Sequence, residues 1–171
     1  MNHLFLASRV LHVLLGAIWL GGAFFTAFFL MPAVQEAGPE GGKVMGILVR
    51  RKLIPFIASV SGLTVVTGFY LYWHLTNGFS PALSATRSAQ VFGGGGALGT
   101  IAAILAVSGV TRSMKKAMAL MAQAAAVADP AAKAPLIAQA AAVRQRARTF
   151  ATIVAVLLII TIMAMAAGHY V

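Results

Sequence analysis

The chain has 171 residues, a net charge of +10, 60% hydrophobic and 9% charged residues, and a mean hydropathy of +0.90. A soluble domain of this makeup would have no polar coat, so the composition points to a single integral membrane domain spanning 1–171. The absence of cysteine excludes disulfides, thiolate metal sites and iron–sulfur clusters. Basic residues beside apolar stretches serve topology and anionic headgroups, so the high charge implies a lipid bilayer as partner and no nucleic acid.

A helix rising 1.5 Å per residue needs about 20 mostly apolar residues to cross a hydrocarbon core, and four stretches qualify. The first crossing covers 4–30. Its apolar run is too long for a secretory h-region and has no basic cluster before it, so it is expected to be retained. A loop from Pro32 to Lys52 carries Lys43, Arg50, Arg51 and Lys52. The second crossing covers 53–75, and a loop from Thr76 to Gln90 leads to the third, 91–112.

The segment 113–148, rich in Ala, Gln, Lys, Arg and Met, is too long for a plain loop and reads as helix. Helix three is expected to run on to about Val127. Asp129-Pro130 then supplies a cap and a first-turn proline. The new helix continues through Arg148 into the fourth crossing, 149–168, giving a helical hairpin that extends helices three and four. Met114, Met118 and Met121 have a spacing that would suit a soft-metal stripe. The same spacing describes the apolar seam of a helical pair, and the seam is favoured.

The fold expected is therefore all-α, a four-helix transmembrane bundle. Of the thirteen Lys and Arg residues, only Arg9 and Arg87 lie outside the 32–52 loop and the 111–149 segment. Positive loops stay in the cytoplasm, so the hairpin is cytoplasmic and both termini face outward, periplasmic in a bacterial inner membrane.

All four histidines, His3, His12, His74 and His169, then fall toward the outer side. Counted from the cytoplasmic ends Leu30, Leu53 and Phe150 at the helical rise, His12, His74 and His169 reach about 27, 32 and 29 Å, within one turn of a common plane. His3 lies a further two turns out. Polar groups in spanning helices are costly and usually face the bundle interior, which makes three at one level a site hypothesis.

Neutral imidazole coordinates haem iron, copper or zinc, and bundle cores commonly house cofactors. Haem b is favoured on local grounds. Arg9, one turn outward of His12, suits a propionate, and Gly16, one turn inward, leaves room for a flat macrocycle. Trp19 continues that face, Tyr70 and Trp73 flank His74, and the run Gly93 to Gly96 with Gly99 behind it permits close backbone approach. Each also has a plainer role: Gly95 and Gly99 as helix packing, Tyr70, Tyr72 and Trp73 as an aromatic belt, Arg9 as a snorkelling side chain, and Met165 as filler.

No Ser-His-Asp arrangement, HExxH helix, phosphate loop or dinucleotide fingerprint can be assembled. The midplane stretches are nearly all apolar, which argues against a transport path.

The segment Arg9-Val10-Leu11-His12-Val13-Leu14-Leu15-Gly16-Ala17-Ile18-Trp19-Leu20-Gly21-Gly22 resembles the first-helix pattern of small bacterial membrane proteins related to the copper-resistance protein D group. The tail Met163-Ala164-Met165-Ala166-Ala167-Gly168-His169-Tyr170 resembles their final-helix ending, with His169 where that pattern carries Arg. A more distant similarity is to the HemJ type of protoporphyrinogen oxidase, a small four-helix haem protein, although its Arg-Leu-Phe stretch is missing here. Both resemblances imply a haem or copper site built from first-helix histidines, a role that His12 alone inherits.

The sequence thus leads to a b-type haem protein for electron transfer. His12 and His74 form the favoured axial pair, with His12 and His169 as the alternative. Arg9, Gly16 and Tyr70 line the cofactor. The partner would be a quinol or redox protein, within a larger membrane complex. Two rival readings are copper handling by His12, His74 and His169, and a cofactor-free accessory subunit that docks a companion protein.

Overall fold

A computed structural model describes residues 3–171, and its described residues are helical with no strand. Four continuous helical runs, His3–Glu36, Leu53–Leu75, Arg87–Ala126 and Pro130–Ala167, are long and apolar enough to cross a membrane.

The first run consists of α1 (His3–Phe25), a π-helical turn (Thr26–Leu30) and α2 (Met31–Glu36). It therefore continues past the expected end at residue 30. The π turn lies just ahead of Pro32, and the Met31 N–H reaches back to the Thr26 carbonyl, five residues away. A proline inside a helix lacks an N–H and crowds the carbonyl four residues back. One wider turn relieves that crowding while the chain stays helical.

The stretch read as a loop instead folds into α3 (Gly38–Arg50), opening on Gly38 at φ +55 and followed by Lys52 at φ 62. Its Glu40 pairs with Lys43 at 2.6 Å, the one ion pair among the described residues.

The second crossing, α4 (Leu53–Leu75), has the expected boundaries, and a short α5 (Pro81–Ser84) lies in the loop that follows it. α6 (Arg87–Leu105) opens on Thr86, whose hydroxyl accepts from the Ala89 N–H at 3.3 Å. A second π turn (Ala106–Thr111) joins it to α7 (Arg112–Ala126). The break then falls where Asp129-Pro130 predicts it: the Asp129 carboxylate accepts from the Ala131 N–H at 3.0 Å and α8 runs Pro130–Ala167. α7 lies along the first half of α8, burying Ala117, Leu120 and Ala124 of one and Ala140 and Ala147 of the other.

Neighbouring contacts run α1 to α4, α4 to α6, α6 to α8 and α8 back to α1. Trp19, 2% exposed, stands where all four meet, packed among Val60, Ala102, Val154 and Leu158. The outward faces remain apolar, with Leu14, Val66, Ile104 and Met163 exposed among many others. That is the pattern of helices solvated by lipid rather than water. Threonine hydroxyls within the spans turn back on their own helix, as in Thr64 to the Val60 carbonyl at 2.8 Å and Thr161 to the Leu157 carbonyl at 2.8 Å. Among the described residues no buried polar side-chain atom lacks a partner.

Candidate functional site

The bundle has two ends. At the basic end lie α2, α3, the π turns and α7; at the terminal end lie the start of α1, the end of α8, α5 and the histidines.

His12 is the best-built histidine. Its Nδ1 stands 2.9 Å from the Thr64 carbonyl oxygen and 3.2 Å from the Thr67 hydroxyl, both on α4. A carbonyl only accepts, so Nδ1 carries the hydrogen, and the neutral ring keeps its lone pair on Nε2. The Thr67 hydroxyl lies 2.7 Å from the Leu63 carbonyl, to which it donates, leaving its oxygen free to accept from His12. Gly68 makes this approach feasible, because a Cβ there would lie 2.8 Å from His12 Cε1. Thr64, Thr67 and Gly68 were not singled out by the sequence; the pattern Thr64-Val65-Val66-Thr67-Gly68 holds a hydroxyl pair and a gap at one helical level, and was the signal available.

Gly16 serves the same seam. A Cβ on it would meet Thr64 Cγ2 at 3.8 Å, ordinary van der Waals contact, so Gly16 faces α4 but an alanine would fit there. Arg9, one turn outward, is exposed.

His74 also faces α1, but further toward the terminal end. Its ring lies 4.5 Å from that of Phe5 and 6.4 Å from that of Tyr70. It is six residues beyond Gly68, which is level with His12, so the two histidines are about 9 Å apart along the helices. Sequence counting had placed them within one turn of each other. The difference arises because the two origins of the count are not level: His12 is 18 residues from Leu30 whereas Gly68, beside it, is 15 from Leu53, so Leu30 lies roughly 4.5 Å deeper than Leu53. Tyr70 stacks on Trp73 at 6.3 Å, and Trp73 is 49% exposed.

His169 belongs to the other half of the bundle, just past the end of α8, with its ring 5.0 Å from Phe92 of α6. Gly168 beside it lies against the Phe92 ring, and its carbonyl accepts from the Ser88 hydroxyl. His3 is exposed at the start of α1. Among the described residues no group of three or more His, Cys, Asp or Glu side chains is arranged to hold a metal ion.

The glycine run opening the third crossing is a packing surface. A Cβ at Gly93 would meet the Tyr72 hydroxyl at 2.9 Å, and one at Gly95 would meet Ala164 Cβ at 3.1 Å and Met165 Cε at 3.2 Å. Gly99 continues this contact against Thr161 Cγ2 at 3.5 Å. Gly95 and Gly99 thus form a small-xxx-small face that seats α8, and Met165 fills part of it.

An all-helical chain with four helices of this length and hydropathy belongs to the class of polytopic α-helical membrane proteins. Comparison with protein-family models, with curated proteins and with solved structures finds no match.

Proposed function

We propose that the chain is a b-type haem protein for electron transfer in a bacterial inner membrane. In this reading both termini are periplasmic and the paired α7 and first half of α8 extend into the cytoplasm. The observation that carries it is the orientation of His12. Imidazoles that bind metals commonly donate their second N–H to a carbonyl or carboxylate, which fixes the tautomer and aims the remaining lone pair. The Thr64 carbonyl does this for Nδ1, and Nε2 is the nitrogen left to bind.

The fit is partial. His12 has the right donor chemistry. To hold one iron together, however, two imidazoles would have to face one another across a gap. In this packing His12 and His74 sit two levels apart on helices that touch at Gly16 and Gly68. His12 would therefore hold the iron without His74. When bound, haem would supply one-electron chemistry. Thr64 and Thr67 would hold the ring, and Gly68 would admit it to the seam.

The reduced-minus-oxidised absorption spectrum of detergent-extracted native protein tests this. A Soret band that shifts on reduction, is lost in His12→Ala and survives in His169→Ala is the expected result. Stoichiometric copper without haem would replace the proposal with copper handling at the same imidazoles. The accessory-subunit reading is favoured by a separate feature, the paired α7 and α8 with exposed Arg144 and Lys115 on their outer faces. Pigment-free native material that co-purifies with a companion complex would establish it instead.

A further inference from the structure

At the basic end, a concavity of about 420 Å³ opens between the second π turn, α7 and α8. Arg112 and Lys116 enter it from α7, one turn apart, and Arg146 enters from the facing helix. No Asp or Glu lines it. Three cations around one hollow repel one another, and among the described residues none of them has an ion-pair partner. Ser113, itself 9% exposed, adds a hydroxyl to the wall.

The floor is formed by Phe150, whose ring lies directly over Gly109, where a Cβ would come within 2.5 Å. Below the cations the walls turn apolar on both sides. On the α6 side, Ile104 is 60% exposed one turn from Ser108, whose hydroxyl donates to the Ile104 carbonyl and which lines the hollow with Arg112. On α8, Arg146, Phe150 and Ile153 follow at i, i+4 and i+7, and Ile153 is 42% exposed.

The hollow therefore grades from three cations to an apolar trough that continues along the lipid-facing surface. Its complement is a molecule with an anionic oxygen-rich head and hydrocarbon tails. A free phosphate ion would satisfy the cations and leave the trough unused. Basic pockets between spanning helices at a membrane boundary are suited to phospholipid headgroups, and guanidinium groups match phosphate oxygens in geometry as well as charge. We infer that Arg112, Lys116 and Arg146 form a headgroup site for an anionic phospholipid, with its phosphate between α7 and α8 and its acyl chains along Ile104 and Ile153. The site is independent of the histidines and does not rest on the haem proposal.

The test is native mass spectrometry of the full chain, delipidated in detergent and titrated with phosphatidylglycerol or phosphatidylcholine of matched chains. Retention of phosphatidylglycerol at least about tenfold tighter than phosphatidylcholine is expected. The triple variant Arg112→Gln, Lys116→Gln, Arg146→Gln should lose that preference. A control removing three outward charges, Lys115→Gln, Lys133→Gln and Arg144→Gln, should keep it. Equal retention of the two lipids by the unaltered chain overturns the proposal whether or not any variant folds. Equal loss in the two triple variants also overturns it, by reducing the effect to net charge. Displacement of phosphatidylglycerol by millimolar inorganic phosphate would make this a free-anion site and overturn the lipid assignment.

Discussion

The terminal and basic ends of the bundle are made from the same apolar and small residues, yet they pack differently. At the terminal end, missing side chains close the structure: Gly68 seats α1 on α4, while Gly95 and Gly168 seat α6 on α8. The histidines are divided between those two seams. At the basic end, π turns at Thr26–Leu30 and Ala106–Thr111 interrupt two of the four crossings. There the helices part around the cationic hollow and around a smaller apolar cavity of about 110 Å³, bordered by residues of both turns together with Met45 and Val49 of α3. Glycine at a straight helical seam brings backbones together, whereas a π turn shifts the helix phase and spoils ridge-into-groove fit beyond it.

The most damaging way to erase this contrast is to remove the junction between the two ends. Trp19→Ala should lower unfolding stability in detergent by roughly 3–5 kcal/mol, as large aromatic truncations in tight cores do, and should loosen both ends in amide exchange. Next comes overpacking at the basic end. Gly109→Ala puts a methyl into the Phe150 ring and should cost about 1–3 kcal/mol, with the largest exchange increases in α7 and the first half of α8.

A comparable change at the terminal end, Gly68→Ala, should displace the His12 ring from Thr64. The expected cost, about 1 kcal/mol for the lost hydrogen bond, should appear as a changed His12 ring-nitrogen NMR signal with α6 and α8 undisturbed. If haem is bound, its absorption should fall in parallel. The smallest effect is expected for His169→Ala. The exposed ring touches only Phe92 among the ring contacts, so stability should change by no more than about 0.5 kcal/mol. A large loss there would mean that His169 takes part in a site that its surroundings do not reveal.

Residue by residue, the features legible in the sequence are those set by local chemistry. The second crossing ends at Leu53 and Leu75 as its flanking residues indicate, and Asp129-Pro130 starts α8 because the carboxylate caps and the proline needs no N–H. The small-residue reading of Gly95 and Gly99 also describes their contact with α8. By contrast, α3 was concealed in a segment of Gly, Pro and charge, and the first π turn was hidden because helix propensity carries no mark of a widened turn.

The histidine levels were misjudged for a related reason. Counting from apolar boundaries assumes that the boundaries of different helices lie at one depth, and Leu30 lies about three residues deeper than Leu53. Composition and cap chemistry sufficed to determine that this is an all-helical protein with four membrane-length helices, since lipid demands internal backbone pairing whatever the neighbours are. Only tertiary packing decided that His12 docks against Thr64 and Gly68, that His169 belongs to the opposite pair, and that Arg146 joins Arg112 and Lys116 around one hollow. In spans apolar on every face, hydrophobic periodicity cannot say which side meets protein and which meets lipid; the fit of individual glycines, rings and hydroxyls decides it.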